Sequence, residues 1–345
     1  MRLIVPMGGR GTRLRPLSHT TPKALLPVAG RTAIERSLAA FADALPRPVR
    51  EAVFVLGPAD RLTDVPDRLA EACAAVGVRA AFAVQDEPLG TAHAVASAGD
   101  KLDGEVLTVW SDTLFRPARR ADLDGVDLAA WTVDVADPRR FGVVARDGAG
   151  RVTGLVEKPP DARFTETLVG AYYVREGAAL REAADRMVAG GRTGAGGEYQ
   201  LTDALDALVQ GGAAVRTEPV AEWLDVGTVP AYLDAVARTL DREAPAPPAL
   251  DGVAVVPPVY VGPGAVVRAS ALGPHVAVEG GAVVEGSAVR NAVVFAGAAV
   301  RDSAVDGAVL GRRSSLRGWS GPALLGDDAA LGDPVRARSP LDEAD

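Results

Sequence analysis

Residues 3–14 read LIVPMGGRGTRL, and this stretch decides how the chain begins to fold. The apolar run Leu3–Val5 predicts a short buried strand, and three glycines follow it in a loop. Glycine accepts positive φ and lets backbone N–H groups approach phosphate oxygens closely, while the two arginines of the loop add positive charge. Taken alone, the segment has two interpretations, a phosphate-binding loop or a plain structural turn.

Strands and helices alternate from this loop to about residue 240. Each segment is short and has an apolar run or an apolar side. Strands are predicted at 52–56, 79–84 and 105–110, and helices at 32–45, 67–76 and 91–99. This alternation predicts an α/β fold with a Rossmann-like, mostly parallel sheet and helices on both of its faces.

The composition changes beyond the predicted domain 1–240. Residues 241–258 are rich in proline and predict a linker. Within 259–318 an aliphatic residue recurs every five or six positions, with glycine and small residues between: Val261, Val267, Leu272, Val278, Val284, Val289, Val294, Val300, Val305 and Leu310. This period is the hexapeptide signature of a short, left-handed parallel β-helix. Residues 319–345 lose the period and predict an irregular tail.

Charge and cysteine content exclude several classes of protein. The 345 residues include 37 Lys+Arg and 45 Asp+Glu, which gives a net charge of −8 and argues against nucleic acid or an anionic membrane as partner. A single cysteine excludes a disulfide framework and a cysteine-based zinc site. No apolar run approaches the ~18 residues of a membrane span, so we expect a cytoplasmic protein. Lysine occurs only at Lys23, Lys101 and Lys158.

Two common phosphate-binding signatures do not fit the glycine loop. No Gly-Lys-Ser/Thr sequence follows it, so it is not a P-loop. Leu14 stands where a dinucleotide fingerprint has its third glycine, which disfavours a dinucleotide-dependent oxidoreductase.

The continuation of the loop is more specific. Residues 8–31, GGRGTRLRPLSHTTPKALLPVAGR, resemble the opening signature of the sugar-1-phosphate nucleotidylyltransferases. Further segments resemble later elements of that family, in the family's order: QDEPLGTAHA at 85–94, WSDTLF at 110–115, FGVV at 141–144, EKP at 157–159, GEYQLTD at 197–203 and WLDVGT at 223–228. The resemblance covers about residues 1–240, and many members of the family also carry a C-terminal hexapeptide β-helix.

The resemblance implies a reaction between a nucleoside triphosphate and a sugar 1-phosphate. The sugar phosphate attacks the α-phosphorus in line with the departing pyrophosphate, and a nucleotide sugar is formed. Both reactants are anions, so positioning and charge stabilisation carry the catalysis and no nucleophilic side chain is needed.

The resemblance also assigns the catalytic and metal positions. Arg13 is expected to bind the β- and γ-phosphates, and Lys23 the phosphates near the reacting centre. Asp112 and Asp225 each follow an apolar run and are the expected ligands of Mg²⁺, which prefers few carboxylates together with phosphate oxygens. Ser111 departs from the family, which usually has glycine there.

Substrate recognition is assigned by the same resemblance. The expected nucleotide-binding residues are Gly8, Gly9, Gly11, Thr12, Gln85, Gly90 and Thr91. The expected residues for the sugar phosphate are Gly142, Glu157, Lys158, Val169 and Gly170, with Lys158 on the phosphate itself. The amide of Gln85 offers a donor and an acceptor, which suits the imide edge of uracil or thymine better than guanine.

The exact substrates stay open. UTP or dTTP with glucose 1-phosphate is the leading pair, and a GDP-mannose-type guanylyltransferase is an alternative. A non-catalytic regulatory subunit that binds nucleotide sugars is another, although such subunits tend to lose the arginine, lysines or aspartates that this chain keeps. The flat surface of a β-helix favours a homo-oligomer, and we expect the repeats to pack rather than to catalyse.

Overall fold

The computed structural model describes residues 1–9, 11–191, 193–246 and 249–332. The strands, in chain order, are β1 Arg2–Pro6, β2 Pro27–Val28, β3 Arg31–Thr32, β4 Glu51–Leu56, β5 Arg79–Val84, β6 Val106–Val109, β7 Thr113–Pro117, β8 Leu128–Asp134, β9 Gly142–Arg146, β10 Val152–Glu157, β11 Glu166–Val174, β12 Val215–Asp225, β13 Ala254–Val255, β14 Val259–Val261, β15 Val266–Arg268, β16 Ala271–Leu272, β17 Val276–Val278, β18 Val283–Glu285, β19 Ala288–Val294, β20 Ala299–Arg301, β21 Ala304–Leu310, β22 Ser315–Arg317, β23 Ala323–Leu325 and β24 Ala330–Leu331.

The α-helices are α1 Ala33–Ala44, α2 Val65–Ala75, α3 Thr91–Ala96, α4 Gly177–Ala189, α5 Leu201–Gln210 and α6 Val229–Glu243. Short 3₁₀ turns lie at Thr12–Leu14, Leu17–His19, Lys23–Leu25, Asp60–Leu62, Gly99–Leu102 and Ala195–Gly197. Among the helices of the described residues, none has both the length and the apolar character that crossing a bilayer requires.

The chain forms two compact units that a single cut in the sequence does not separate. Unit 1 draws its described residues from Met1–Arg10, Lys23–Leu25 and Thr32–Asp225. Unit 2 draws its own from Gly11–Pro22, Leu26–Arg31 and Val226–Asp345. The units differ from the predicted domain 1–240 in two respects. Two N-terminal segments are grouped with the C-terminal residues, and the boundary between the units lies at Val226.

The sheet of unit 1 has the strand order β5-β4-β1-β6-β11-β8-β12-β7, with β9 paired to β11 and β10 to β9. The four strands β5, β4, β1 and β6 run parallel to one another. Strand β11 runs antiparallel to β6, β8 and β9. The predicted α/β class with a parallel-rich sheet is confirmed, and the second half of the sheet is mixed.

Side chains alternate between the two faces of this sheet. Leu3 and Val5 of β1 belong to one buried cluster, together with residues of α1 and α2. Ile4 belongs to a second cluster with residues of α3, α4 and α5. This alternation follows from the two-residue period of a strand, and it confirms helices on both faces.

Unit 2 contains a parallel β-helix. The strands stack coil upon coil, so that Val276 pairs with Ala292 and Ala292 with Ala308, 16 residues apart each time. The recurring aliphatic residues point into the core of the β-helix. Nine of the ten are buried, and Val261 is partly buried.

The β-helix is longer than the sequence predicts. The predicted linker contains β13, which pairs with β16 of the β-helix. Helix α6 also extends into the linker, as far as Glu243. Strands β23 and β24 pair with β21 and β22, so the predicted tail wrongly begins at residue 319. Gly321 and Pro322 interrupt the spacing, yet Leu325 still lies in the core. Residues 333–345 of the predicted tail, and residues 247 and 248 of the linker, lie outside the described residues.

Serines form a ladder along one corner of the β-helix. The hydroxyl oxygen of Ser270 accepts the backbone N–H of Ser287, and that of Ser287 accepts the N–H of Ser303, each at 3.1 Å. Ser303 accepts the N–H of Trp319 in the same way. Each hydroxyl satisfies a backbone donor that would otherwise be buried without a partner, and the ladder continues past residue 318.

Candidate active site

The two predicted metal ligands lie at neighbouring strand ends of unit 1. Asp112 lies in the turn that follows β6, and Asp225 is the last residue of β12. Asp225 pairs in register with Thr113, the residue after Asp112. The structure therefore brings the two aspartates to adjacent positions, where β12 ends and β7 begins. Ser111, which precedes Asp112, is half-buried.

Lys23 contacts one of these aspartates. Its Nζ lies 2.6 Å from Oδ2 of Asp112, and the two side chains are 15% and 24% exposed. A partly buried ion pair of this length is a strong charge-assisted hydrogen bond. A predicted phosphate-binding lysine and a predicted metal ligand, 89 positions apart in the chain, thus lie together.

The donor set fits magnesium that is shared with a substrate. Among the described residues, no group of three or more His, Cys, Asp or Glu side chains could hold a metal ion by itself. Mg²⁺ in phosphoryl-transfer sites is bound by one or two carboxylates, with phosphates and water completing the shell. Asp112 and Asp225 supply that number of carboxylates.

The glycine loop is divided between the two units. Gly8 and Gly9 follow the carboxyl end of β1 in unit 1, whereas Gly11, Thr12 and Arg13 belong to unit 2. Gly11 has φ 54° and ψ 36°, a left-handed conformation that favours glycine, and it precedes the 3₁₀ turn that carries Arg13. Thr12 and Arg13 are exposed.

Gly8, Gln85 and Gly90 lie together in what we call the base cluster. Nε2 of the buried Gln85 donates to the Gly90 carbonyl at 3.1 Å. A Cβ on Gly8 would lie 2.3 Å from Oε1 of Gln85, so only glycine leaves room for this amide. The Gly90 carbonyl fixes the orientation of the amide, because the opposite orientation would place two oxygens against each other.

The segment around Gly90 is tied to the start of α5. A Cβ on Gly90, whose φ is +128°, would lie 2.5 Å from backbone atoms of Tyr199. The Tyr199 carbonyl accepts the N–H of Ala92, and the Tyr199 N–H donates to Leu89. The Thr91 hydroxyl accepts the N–H of Leu201 at 2.8 Å. Thr91, a predicted nucleotide-binding residue, therefore also holds the start of α5.

The predicted sugar-binding residues form a second group, the sugar cluster of Gly142, Glu157 and Thr202. Gly142 of β9 pairs in register with Glu157 at the end of β10. The Thr202 hydroxyl donates to Oε2 of Glu157 at 2.7 Å. A Cβ on Gly142 would lie 3.0 Å from the same oxygen. The glycine at this position therefore leaves room for the Glu157 carboxylate.

Lys158 adopts an unusual backbone conformation next to this cluster. Its φ is 47°, in the left-handed region that non-glycine residues seldom adopt. Its N–H donates to the Phe141 carbonyl, and its Nζ lies 3.9 Å from Oε1 of Glu157 with the side chain about half exposed. Such residues concentrate at binding and catalytic sites, where the surrounding contacts hold them.

Val169 and Gly170 connect β11 to the metal turn, which we define as Trp110–Thr113. The Trp110 N–H donates to the Gly170 carbonyl, and the Thr113 hydroxyl donates to the Val169 carbonyl, both at 3.0 Å. A Cβ on Gly170 would lie 2.0 Å from the indole of Trp110. The absence of a side chain at Gly170 therefore determines how closely the metal turn packs on β11.

Acidic groups crowd the sugar cluster. Burial, and then the charges of Glu157 and Asp206, raise the pKa of the Asp203 carboxyl. Burial, and then the Glu157 charge, also raise the pKa of the Tyr172 hydroxyl. Tyr172 is buried and packs edge-on against Trp110, which places it in the core.

Two polar residues that the sequence did not identify lie next to predicted site residues. His93 lacks metal-ligand spacing, yet its Nδ1 lies 3.1 Å from Nε2 of Gln85. Thr202 holds the carboxylate of Glu157. Both lie inside segments that carry the family resemblance. Their position in those segments was the sequence signal that could have identified them as site residues.

Comparison with protein families and curated proteins gives consistent matches. A family model described as nucleotidyl transferase matches residues 3–242. A Streptomyces griseus protein described as glucose-1-phosphate thymidylyltransferase is 32% identical over 294 residues, covering 78% of this chain and 75% of that protein. A Mycobacterium tuberculosis protein described as mannose-1-phosphate guanylyltransferase is 28% identical over 290 residues, with the same two coverages of 78% and 75%.

A solved structure shares the fold. The crystal structure of UDP-glucose pyrophosphorylase complexed with UDP-glucose superposes with a TM-score of 0.57 at 18% identity. The superposition covers 70% of this chain and 98% of that chain. The α/β architecture described above is therefore one that is already known in a solved protein.

Proposed function

The chain belongs to the nucleotidyl transferase family, and we propose that it transfers a nucleotidyl group from UTP or dTTP to glucose 1-phosphate with the aid of Mg²⁺. The resemblance to the sugar-1-phosphate nucleotidylyltransferases is confirmed by the family match over residues 3–242. The chain is accordingly an enzyme of the nucleotidyltransferase class that acts on a sugar 1-phosphate.

One observation carries the proposal. The Lys23–Asp112 ion pair lies beside Asp225, where β12 ends and β7 begins. Open α/β sheets bind their ligands at the carboxyl ends of strands. The reactants are both anions, so the site must neutralise their negative charge and hold them in position. The Lys23 ammonium, and a metal ion held by the two carboxylates, would supply the positive charge.

The protein's own part in the reaction is positional and electrostatic. Lys23 supplies positive charge near the α-phosphorus, and Arg13 is assigned to the β- and γ-phosphates of the leaving pyrophosphate. Lys158 is assigned to the phosphate of the sugar, whose oxygen attacks phosphorus in line with the leaving group. The bond from the α-phosphorus to pyrophosphate breaks as the bond to the sugar phosphate forms, and no bond to a side chain is made.

Asp112 and Asp225 would hold the magnesium ion. When bound, Mg²⁺ neutralises phosphate charge in the transition state. The Lys23–Asp112 hydrogen bond supports this assignment, because it holds the Asp112 carboxylate in place from one side.

The base cluster favours a pyrimidine. The donor side of the Gln85 amide faces the Gly90 carbonyl, which leaves Oε1 as the acceptor for an imide N–H. Uracil and thymine present such an N–H between two carbonyl oxygens. The Streptomyces griseus relative, described as acting on glucose 1-phosphate with thymidylyl transfer, supports the same choice.

The sugar cluster favours a substrate rich in hydroxyl groups. The Glu157 carboxylate accepts hydrogen bonds and is already oriented by Thr202. A sugar hydroxyl can donate to its free lone pairs, and Val169 and Gly170 would line the same end of the sheet. An assembly of identical subunits stays a prediction from the β-helix surface.

Pyrophosphate release tests the proposal. The purified chain is incubated with UTP, dTTP or GTP, each with glucose 1-phosphate, N-acetylglucosamine 1-phosphate or mannose 1-phosphate, with Mg²⁺ or with a chelator. We expect the fastest release from UTP or dTTP with glucose 1-phosphate, and loss of release with the chelator. Absence of release from every pair would overturn the proposal.

A guanylyltransferase is the second candidate, and the Mycobacterium tuberculosis relative favours it. It would give the fastest release from GTP with mannose 1-phosphate in the same assay. That result would keep the reaction type and replace both substrates.

A further inference from the structure

The segment Gly11–Pro22, which we call the Arg13 loop, belongs to unit 2. It contains two single 3₁₀ turns, and its internal backbone bonds join residues only three or four positions apart. The Gly11 carbonyl accepts the N–H of Leu14 at 2.8 Å and the hydroxyl of Ser18 at 2.7 Å. Such a loop has little secondary structure of its own, so its conformation depends on the contacts that it makes elsewhere.

The last coil of the β-helix provides those contacts. Oδ2 of Asp327 accepts the hydroxyls of Thr20 at 2.9 Å and of Thr21 at 3.1 Å. Its Oδ1 accepts the backbone N–H of Arg312 at 2.7 Å. Both carboxylate oxygens of Asp327 are thus engaged, one with the loop and one with the neighbouring coil.

A glycine beside Asp327 brings the coil close to the same loop. A Cβ on Gly326 would lie 3.2 Å from Cβ and 3.3 Å from the carbonyl oxygen of Pro16. That spacing is tighter than an ordinary side-chain contact permits. The loop therefore meets the coil at two places, Pro16 and the Thr20–Thr21 pair.

Asp327 differs from other aspartates of the β-helix. Asp328 pairs with Arg313 at 2.6 Å, and Asp302 pairs with Arg317 at 3.2 Å, in both cases between one coil and the next. These are exposed pairs that repeat with the coil and contribute little to stability. Asp327, in contrast, reaches residues more than 300 positions away in the sequence.

We propose that Asp327 is a positioning residue for nucleotidyl transfer, which acts by fixing the loop that carries Arg13. The proposal rests on the function assigned above, in which Arg13 binds the leaving pyrophosphate. An arginine stabilises a transition state only when it is held in place beforehand, since ordering it during the reaction costs free energy. The β-helix then serves catalysis through this loop, in addition to packing.

The test compares Asp327→Ala with Asp328→Ala in the full-length chain. Both remove one aspartate from the same coil, but only the first removes the loop contact. We expect Asp327→Ala to lower kcat/KM for the triphosphate by ten- to a hundredfold, in the range of a ~1 Å misplacement. KM for the sugar phosphate should stay close to that of Asp328→Ala, which should keep wild-type kinetics. Asp327→Ala also leaves the N–H of Arg312 without its acceptor and should melt at a lower temperature, but a general loss of stability would lower the rates with both substrates alike.

A second variant approaches the contact from the loop. Thr20→Val with Thr21→Val removes both hydroxyls and leaves the β-helix unchanged, so it serves even if Asp327→Ala folds poorly. We expect the same selective loss toward the triphosphate. Amide hydrogen exchange over residues 11–22 should be faster in this variant and in Asp327→Ala, and unchanged in Asp328→Ala.

A double-mutant cycle decides whether the effect passes through Arg13. In an Arg13→Ala background, Asp327→Ala should cause little further loss. Additive losses, equal losses for both substrates, or wild-type kinetics in the Asp327 and threonine variants would each overturn the proposal. A wild-type chain without activity on any substrate pair would instead overturn the proposed function, which separates the two failures.

Discussion

The sheet of unit 1 and the β-helix of unit 2 use polar residues in opposite ways. At the strand ends of the sheet, polar residues form single contacts that do not repeat, such as Lys23 with Asp112 and Thr202 with Glu157. In the β-helix, the serine ladder and the Arg–Asp pairs recur from coil to coil. Repetition of a polar contact indicates a structural role, and a contact that departs from the repeat is the place to look for function.

Glu279 and Asp327 are acidic residues of the β-helix whose contacts depart from its repeat. Glu279 is buried, and its Oε1 accepts the N–H of Gly30 at 3.1 Å. Asp327 accepts the hydroxyls of Thr20 and Thr21. Both therefore bind N-terminal segments of unit 2, which accounts for the grouping of those segments with the C-terminal residues.

Removing a carboxylate at the strand ends of the sheet should have the largest effect on activity. We expect Asp112→Asn and Asp225→Asn each to lower kcat at least ~100-fold, because charge stabilisation at the reacting phosphate is lost while the side-chain volume is kept. Initial rates of pyrophosphate release measure this. Asp302→Asn, the same change in the β-helix, is the matched control and should leave kcat within twofold of wild type. Near-normal rates in either sheet variant would remove that aspartate from the mechanism.

Replacing the two predicted phosphate-binding lysines should affect different kinetic constants. Lys158→Arg should raise KM for the sugar phosphate more than KM for the triphosphate, and Lys23→Arg should mainly lower kcat. The planar guanidinium keeps the charge but displaces the reactants, and a shift of ~1 Å can cost ~100-fold.

Steady-state constants for both substrates check this prediction. Lys101→Arg is the matched control, because it replaces the remaining lysine of the chain, which lies in no family motif. All three variants should keep the melting temperature of wild type. Unchanged kinetics in Lys23→Arg and Lys158→Arg would show that these lysines do not contact phosphate.

The serine ladder gives the smallest effect, and one of a different kind. Ser287→Ala leaves the buried N–H of Ser303 without its acceptor, which should lower the free energy of unfolding by about 1–3 kcal/mol. Denaturant unfolding measures the loss, and kcat should stay within twofold of wild type. A fall in kcat at full stability would mean that the ladder does more than hold the coils together.

Local patterns predicted most of the fold. The apolar run at 79–84 coincides with β5, and the helix predicted at 32–45 contains α1, which begins at a capping box formed by Thr32 and Glu35. The inward aliphatic residues of the β-helix followed directly from their period. In each case neighbours in sequence carry the signal.

The remainder depends on contacts between distant residues. The end of the β-helix was missed because Gly321 and Pro322 interrupt the period, although the coil still closes over Leu325. The pairing of Asp327 with Thr20 and Thr21 left no local pattern. At the site, the motifs predicted which residues matter, whereas the bond of Gln85 to Gly90 and the contact of Lys23 with Asp112 emerged only from the fold.

The central claim is direct transfer of the nucleotidyl group to the sugar phosphate by residues at the strand ends, without a covalent enzyme intermediate. Exchange of labelled pyrophosphate into UTP and dTTP tests it most directly. We predict exchange only when glucose 1-phosphate is present, and none with Asp112→Asn, because pyrophosphate can return to the nucleotide only from the nucleotide sugar. Exchange in the absence of any sugar phosphate would contradict the account, since it would require a nucleotidyl group held on the protein.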